Sequence, residues 1–163
     1  MLFTTEHKTK FGNLTLISDR EVLIAAGFGG VKNLVKRLNK GDQQKSLKVV
    51  KSIPTISNLM LDYFDGEYSA INSITIRQSG AKFSQNVWKA MRKIPAGKTI
   101  SYSELAKWAG SPDAVRAAGT ACANNLIALI VPCHRIIKSN GEIGNYGYGV
   151  KIKKLLLTHE GAL

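Results

Sequence analysis

The chain has 163 residues, of which 44% are apolar and 7% aromatic, and its formal net charge is +12. This length allows one large domain or two small ones, and the positive charge favours a polyanionic partner, with nucleic acid ahead of an anionic membrane surface. No apolar run approaches the roughly 18 residues needed to cross a bilayer, which argues against a membrane-spanning protein.

The positive charge is concentrated in the second half of the chain. Residues 1–79 carry a net charge of +4, whereas residues 80–163 carry +8, so we expect the surface for a polyanion in residues 80–163. The two cysteines, Cys122 and Cys133, are too few for a disulfide framework, which favours a reducing compartment. The N-terminus lacks the basic and apolar regions of a signal peptide. We therefore expect a cytoplasmic monomer with no membrane partner.

Residues 1–79 predict a small α+β domain with a short β-sheet. Residues 1–30 have the composition of β structure, and apolar residues at helical spacing follow them. This part has no cysteine and only one histidine, His7, so we expect no metal site and assign it a structural role. The predicted elements are strands at 13–18 and 22–28, helices at 31–38 and 54–64, and a short strand at 73–77.

A second, mainly helical domain is predicted over residues 80–163, because Ser79-Gly80 is the best boundary in the chain. The overall class is therefore α/β in the α+β sense. Two of its helices are joined by a glycine-containing turn, which is the helix-turn-helix pattern. The predicted elements are a helix over 83–94, a short helix capped by Ser101 or Ser103 and ended by Gly110, a helix capped by Ser111 with Pro112 in its first position and ending near Ala123, and a last helix over 151–158.

The second helix of this pair is rich in small residues, including Ala117 and Gly119, and Arg116 is its only basic residue. Small side chains allow the backbone to approach another surface closely. Two interpretations are open at this point. The helix packs tightly inside the core, or it approaches a DNA backbone with Arg116 as its one long probe.

A glycine-rich aromatic loop, Gly144-Asn145-Tyr146-Gly147-Tyr148-Gly149, follows a hairpin signal at 138–141. Two tyrosines among these glycines favour a wall around a flat ligand over a plain connector. In the helix that follows, we expect Ile152, Leu155 and Leu156 to face inward.

The segment Val131-Pro132-Cys133-His134-Arg135 places a cysteine on a stiff turn between apolar stretches. A thiol becomes a nucleophile as the thiolate, which a neighbouring base or positive charge favours. His134 and Arg135 are suitable residue types for this. From these five residues alone, a buried structural cysteine is an equally good interpretation.

Together these residues resemble the O6-alkylguanine-DNA alkyltransferase family, whose members are methylated-DNA–protein-cysteine methyltransferases. The resemblance covers residues 83–161, whereas residues 1–79 are similar only in length and coarse pattern. It departs from the family after Asn125, where the usual proline is missing, and at 147–149, where a Ser-Gly-Gly type of loop is usual. The matching segments are Ile100-Ser101-Tyr102, Arg116-Ala117, Asn125, Pro132-Cys133-His134-Arg135, Gly144-Asn145-Tyr146 and His159-Glu160-Gly161.

The resemblance implies a DNA-associated repair protein, in a nucleoid or nucleus, whose partner is double-stranded DNA containing O6-alkylguanine. Such a protein flips the base out of the duplex and transfers its alkyl group irreversibly to its own cysteine, once, without a cofactor or a metal. Cys133 is implied as the acceptor. The resemblance implies that His134 takes the thiol proton through a water, which agrees with the expectation that adjacent residues on an extended backbone point apart. Glu160 would orient His134.

The remaining roles implied by the resemblance concern the DNA and the flipped base. Asn125 ties the DNA-binding helix to the active-site turn. The DNA-binding residues are Tyr102, Arg116, Ala117 and Gly119, and the base pocket contains Tyr146, Gly147, Ile136 and Cys122.

Two other classes of function remain as alternatives. One is a non-reactive helix-turn-helix DNA-binding protein or damage sensor, in which Cys133 is structural. The other is a cysteine hydrolase that uses Cys133, His134 and Glu160, for which the sequence shows no particular oxyanion site.

Overall fold

The computed structural model describes residues 1–163 and divides into two compact units. Unit 1 contains residues 1–79 together with Leu126–Ala128, and unit 2 contains residues 80–125 and 129–163. A linear division at Ser79-Gly80 thus omits the short segment Leu126–Ala128. Unit 1 combines a small sheet with short helices and unit 2 is mainly helical, so the predicted α+β class is confirmed.

Unit 1 is built on a four-stranded sheet with strand order β3-β2-β1-β4. Strands β1 (Leu2–Thr9), β2 (Gly12–Asp19) and β3 (Val22–Gly27) form an antiparallel meander, as predicted for residues 1–30. Strand β4 (Leu47–Val49) pairs in parallel with β1. The segment Leu126–Ala128 extends the other edge, where the backbone of Ala26 donates to Leu126 and accepts from Ala128.

Short helices complete unit 1. Helix α1 (Val31–Arg37) buries Leu34, and helix α3 (Ile56–Phe64) buries Met60, Tyr63 and Phe64, so both predicted helices are confirmed. The predicted strand at 73–77 is wrong in extent. Ser73 belongs to a 3-10 helix, Tyr68–Ser73, and the residues after it form one parallel bridge, in which the backbone of Leu23 donates to Thr75 and accepts from Arg77. A four-residue helix, α2 (Lys40–Gln43), lies between α1 and β4.

Unit 2 contains four α-helices and a two-stranded parallel sheet. Strand β5 pairs with β6, which directly follows a 3-10 turn at Cys133–Arg135. Ser101 caps α5 as predicted, since its side chain accepts from the backbone N–H of Glu104. The elements are α4 (Lys82–Met91), β5 (Ile100–Ser101), α5 (Tyr102–Trp108), α6 (Val115–Ala123), β6 (Ile136–Ile137) and α7 (Val150–His159).

The predicted start of the second helix of the pair is wrong. Ser111 does not cap it and Pro112 is not its first residue, because the backbone N–H of Ala114 donates to the carbonyl of Ser111 and closes a turn. Proline is favoured in the second position of such turns. Helix α6 therefore begins at Val115.

One prediction for unit 2 is confirmed and another is corrected. The hairpin signal at 138–141 forms a tight chain reversal, in which the backbone N–H of Gly141, at φ +89°, donates to the carbonyl of Lys138, and the N–H of Lys138 donates to the carbonyl of Glu142. In α7, Leu156 is buried as expected, whereas Leu155 is 38% exposed and Ile152 is only partly buried. The inward face of this segment consists of Lys153, Leu156, Leu157 and Glu160.

Trp88 joins helix α4 to helix α6 by a hydrogen bond, in which its indole N–H donates to the carbonyl of Ala121 at 3.0 Å. The buried Trp88 ring leaves no space beside Gly80, where a Cβ atom would lie 2.6 Å from the ring. Only glycine fits there without displacing the tryptophan.

None of the helices combines the length and the apolar character that a membrane span requires.

A buried carboxylate joins the polar groups of unit 1. Asp42 is 4% exposed and accepts from the side chains of Arg77 (2.8 and 3.2 Å), Lys45 (3.0 Å) and Asn39 (2.9 Å). The hydrogen bond from Arg77 is the largest influence, and together with Lys45 it lowers the pKa of Asp42 to about 2. Asp42 therefore stabilises the fold most when it is ionised.

We predict that Asp42→Asn lowers the free energy of unfolding by about 1 kcal/mol near neutral pH, a value discounted because its cationic partners are substantially exposed. The folded pKa lies below the unfolded one, so this contribution is present above pH ~4 and is lost as the pH falls through about 2. Urea unfolding at several pH values measures it, with the exposed Asp65→Asn as the control. Equal effects of the two variants at every pH would contradict the prediction.

Candidate active site

The site is organised by the turn that carries Cys133. Pro132 has φ −83° and ψ 67°, and Cys133–Arg135 form a 3-10 turn. The expectation of an extended backbone between Cys133 and His134 is therefore wrong. Cys133 is half-buried, whereas His134 and Arg135 are buried. The short turn thus leaves the side chain of Cys133 half-buried and places the two side chains that follow it in the interior.

Asn125 supports this turn from the chain that follows α6. Its side-chain amide donates to the carbonyl of Val131 at 2.8 Å and contacts the sulfur of Cys133 at 3.4 Å. The amide is buried, so these partners replace water for a group that would otherwise be costly to bury. Asn125 thus connects the end of α6 to Cys133.

Behind Cys133 lies a buried cluster of His134, Arg135 and Glu160. The carboxylate of Glu160 lies 2.9 Å from Nε2 of His134 and accepts two hydrogen bonds of 2.8 Å from Arg135. Arg135 also donates to the carbonyl of Ile94 at 2.7 Å. This two-pronged geometry is the strongest that arginine and a carboxylate can form.

The cluster fixes the charge states of its members. Burial raises the pKa of Glu160, but the hydrogen bonds from Arg135 and His134 outweigh this and hold it well below its ordinary value. Burial lowers the pKa of His134 and exceeds the opposing effect of Glu160. The site therefore contains an ionised carboxylate and a neutral imidazole near pH 7.

The tautomer of His134 follows from its neighbours. Because an ionised carboxylate accepts from Nε2, that nitrogen carries the proton. The other ring nitrogen, Nδ1, is buried and has no hydrogen-bond partner among the protein atoms. Nδ1 is therefore the ring nitrogen that can accept a proton.

Cys133 opens into a cavity of about 370 Å³. Among the residues predicted for the pocket, Cys122, Tyr146 and Gly147 line it, and Tyr102 and Gly119 from the predicted DNA-binding set line it too. The remaining lining residues are Asn145, which belongs to the loop predicted as a wall, and Ala123, which was given no role in the site.

Three predicted residues lie elsewhere. Ile136 is fully buried in β6 and is not among the residues that line the cavity. Arg116 and Ala117 are exposed on α6, also outside the cavity lining. No group of three or more His, Cys, Asp or Glu side chains is arranged to hold a metal ion.

Aromatic side chains form part of the cavity wall. The rings of Tyr146 and Tyr148 pack edge to face with centroids 5.7 Å apart. Burial, together with the charges of Cys122 and Cys133, raises the pKa of Tyr102 to about 12. Its hydroxyl therefore stays protonated and can donate a hydrogen bond to a molecule in the cavity.

The two thiols of the cavity have different surroundings. Cys122 contacts the sulfur of Met91 at 3.9 Å, and burial together with the charge of Cys133 raises its pKa to about 12. Cys122 therefore remains a thiol at neutral pH. Cys133 instead receives the contact from Asn125 and stands directly before His134.

Lys153 is the residue that sequence reasoning missed. It is fully buried on α7 and its ammonium donates to the carbonyls of Ile136 (2.6 Å) and Asn145 (3.1 Å). Its position three residues before Leu156 and seven before Glu160 is the available signal. That signal is weak in the sequence, because Lys153 stands among other lysines of the same helix, such as Lys151 and Lys154, which are exposed.

The family is decided by comparison with known proteins. Residues 82–162 match the model described as "6-O-methylguanine DNA methyltransferase, DNA binding domain". The crystal structure of the Mycobacterium tuberculosis O6-methylguanine methyltransferase superposes with a TM-score of 0.81 at 30% identity, over 99% of this chain and 94% of that one. The chain belongs to the O6-methylguanine-DNA methyltransferase family.

Other members of the O6-methylguanine-DNA methyltransferase family agree with this. A methylated-DNA–protein-cysteine methyltransferase of Shigella flexneri is 42% identical over 108 residues, which are 66% of this chain and 63% of the relative. The match therefore spans less than two thirds of that relative's length. The structure of the M. tuberculosis OGT in complex with DNA superposes with a TM-score of 0.80 at 29% identity, covering 98% and 93% of the two chains.

We predict that Glu160→Gln lowers the free energy of unfolding by about 3–5 kcal/mol near neutral pH, because it leaves the buried Arg135 without its counter-charge. Glu142→Gln is the control, since Glu142 pairs with Lys138 at 3.5 Å in an exposed ion pair worth about 0–1 kcal/mol. Urea unfolding measures both.

The pH dependence of that loss follows from the lowered pKa of Glu160. The contribution is present above the ordinary Glu pKa and is lost as the pH falls towards the folded value. The difference between the wild type and Glu160→Gln should therefore shrink in acid. A loss no larger than that of the control would contradict a buried charge pair.

Proposed function

We propose that this protein repairs DNA by direct reversal of damage: it binds duplex DNA, flips O6-alkylguanine into the cavity, and transfers the alkyl group once to Cys133. The observation that carries the proposal is the opening of Cys133 into a cavity, with the buried His134–Glu160 pair directly behind it. Relatives named methylated-DNA–protein-cysteine methyltransferase support the same reaction.

The nucleophile is prepared by His134. Its neutral imidazole accepts the proton of Cys133 at Nδ1 through a water, and the Glu160 carboxylate stabilises the imidazolium that forms. The thiolate then attacks the alkyl carbon, a C–S bond forms, and the bond between that carbon and O6 breaks. The released guanine takes up a proton. Arg135 keeps Glu160 ionised and fixed in place.

The cavity provides the binding site for the flipped base. Extruding a base from the duplex costs a few kcal/mol, and the extruded base requires an aromatic or apolar pocket with hydrogen-bond donors. Tyr146 supplies an aromatic wall and the protonated Tyr102 supplies a donor. Gly147 and Gly119 leave room for the flat ring of the base.

Duplex binding is assigned to the helix pair α5–α6. Arg116 and Ala117 are exposed on α6, and Gly119 on the same helix lines the cavity. Arg116 fills the space that the flipped base leaves in the stack, and the net charge of +8 on residues 80–163 provides phosphate binding independent of base sequence. A location with the cell's DNA follows, in the nucleoid or nucleus.

The reaction is single-turnover, because regenerating the thiol requires cleavage of a thioether and no second activated nucleophile lies in the cavity. The other thiol, Cys122, has a pKa of about 12 and stays protonated. A cysteine hydrolase would release product repeatedly, and a non-reactive DNA sensor would leave Cys133 unmodified.

We predict that O6-methylguanine duplex DNA adds one methyl group to Cys133 and none to Cys122, because only Cys133 is next to a residue that can remove its proton, His134. Intact mass and a peptide map measure this. Cys133→Ser should bind the DNA and transfer nothing, since a hydroxyl is a far weaker nucleophile near neutral pH. Release of more than one equivalent of product per protein would refute the single-turnover reaction.

We predict that Arg116→Ala slows transfer from duplex DNA by about tenfold and has little effect on a single-stranded substrate, because only the duplex has a gap to fill. Transfer rates on the two substrates measure this. Arg20→Ala is the matched control, since it removes an equal charge from an exposed turn of unit 1. Equal losses on both substrates would refute the role of Arg116 in the stack.

A further inference from the structure

Unit 1 has a cavity of its own, which the site of Cys133 does not use. Its volume is about 530 Å³, which lies within the range of ligand-binding pockets. Polar side chains, among them the exposed Arg20 and Glu21, form part of its lining. The apolar part of the lining comes from Phe3, Val50, Ile53 and Pro54.

The cavity lies beside the outer edge of the sheet, which is formed by β4. This strand is the last in the order β3-β2-β1-β4, so only one of its edges is paired. The backbone N–H of Val50 donates to Thr4 of β1 at 2.9 Å. Because the backbone groups of successive residues point to opposite sides of a strand, Lys48 also faces β1. The N–H and C=O groups of Leu47 and Val49 therefore point outwards, as on any open sheet edge.

The side chains of this edge point to two different faces of the sheet. Phe3 is the register partner of Lys48, so their side chains share one face, and Val50, two residues further on, shares it as well. Phe3 and Val50 line the cavity, which therefore lies on this face. Val49 points to the opposite face and is 78% exposed. A strand added beside β4 would place alternate side chains over the cavity and over Val49.

The charges around the edge select the kind of strand that fits there. Lys48 and Lys51 are exposed, and neither forms an ion pair. Asp19, at the end of β2, is already bound by Lys45 and Arg77. The edge therefore attracts carboxylates, and it repels a second copy of this chain, whose net charge is +12.

The short length of β4 and the lysine at its centre are the usual protection of an open edge against indiscriminate pairing. This protection discourages neutral and basic strands, whereas an acidic strand gains from the same lysine. It requires neither an exposed apolar side chain at Val49 nor a cavity beside the strand. These two features fit a specific partner better than a protected edge.

We propose that the β4 edge and the cavity beside it form a docking site for an extended, acidic segment of another protein. The segment adds to the sheet beside β4, exchanges hydrogen bonds with the backbone of Leu47 and Val49, and places an apolar side chain in the cavity. Its carboxylates lie beside Lys48 and Lys51. The site uses residues of unit 1 alone, so the inference goes beyond the proposed transfer to Cys133 and does not depend on it.

The test uses the amidated peptide Glu-Glu-Val-Leu-Val-Glu-Glu with fluorescein at its N-terminus. Its apolar centre suits the cavity and its carboxylates suit the lysines. Fluorescence anisotropy measures its binding to the full chain. One control peptide has lysine in place of every glutamate, and a second is methylated at the backbone nitrogens of its three apolar residues. We expect saturable binding of the first peptide, no binding of the lysine peptide, and about tenfold weaker binding of the methylated one.

Two variants of the chain are compared with matched controls. Val49→Pro removes an outward N–H and leaves the pairing with β1 intact, since proline is tolerated on edge strands. Its control is Val150→Pro, at an exposed first position of α7, where proline also fits. Lys48→Glu reverses a charge at the edge, and its control is the exposed Lys36→Glu on α1. We expect Val49→Pro and Lys48→Glu each to weaken peptide binding by about tenfold, and both controls to match the wild type.

A second measurement uses the wild-type chain and does not depend on the folding of a variant. Residue-resolved amide hydrogen exchange is compared with and without the acidic peptide. We expect slower exchange at Leu47 and Val49, because their N–H groups become donors to the added strand. Val50 should change little, because it already donates to β1.

The inference is overturned if the acidic peptide does not bind saturably, if its methylated form binds equally well, or if exchange at Leu47 and Val49 is unchanged. Weaker binding of duplex DNA, with unchanged peptide binding, in Val49→Pro and Lys48→Glu would make the edge a nucleic-acid contact and would also overturn it. Methyl transfer to Cys133 is measured on the same samples, and its presence or absence bears on the proposed function alone.

Discussion

The paired hydrogen bonds between Arg135 and Glu160 are the constraint on which the site depends. Taking both charges out of water costs several kcal/mol per ion, and a fork of hydrogen bonds offsets this only where the geometry is good. Because Arg135 also binds the carbonyl of Ile94, one guanidinium joins the Cys133 turn, the end of α7 and the chain after α4. The pair keeps Glu160 ionised at a fixed point, where it fixes the tautomer and orientation of His134.

The position of the Cys133 side chain is fixed by the backbone of its turn, which is itself held by a side-chain hydrogen bond. Cys133 lies on a 3-10 turn of three residues, which Asn125 holds through the carbonyl of Val131. Leu129, just before this turn, has φ +74°, a conformation that costs a non-glycine residue of order 1 kcal/mol or more. That strain is held in place by the buried contacts on either side of it.

The sequence predicts well those features that arise from periodicity and from local hydrogen bonding. The strands of residues 1–30, helices α1 and α3, the cap at Ser101 and the last helix follow from such signals. Strand β4 could not be predicted, because three residues are too few to show a period, and none of the three is buried. Ser111 misled because a serine before a proline opens a turn as readily as a helix. The resemblance could name Cys133, His134 and Glu160. The inward position of Lys153 could not be predicted, because the apolar pattern of α7 indicated that Ile152 and Leu155 face inward, whereas the helix is rotated so that Lys153 does.

Two cysteines share one cavity, and their surroundings give them different chemistry. Cys122 is on a helix beside Met91, whose thioether is too weak a base to remove its proton, and burial keeps it a thiol. Cys133 has a hydrogen-bond donor at its sulfur and a neutral imidazole in the next residue. A thiol in an apolar wall is inert whatever its access to substrate, because the thiolate is the reactive form. Selectivity between the two sulfurs therefore follows from the amide donor and the imidazole that the protein places beside one of them.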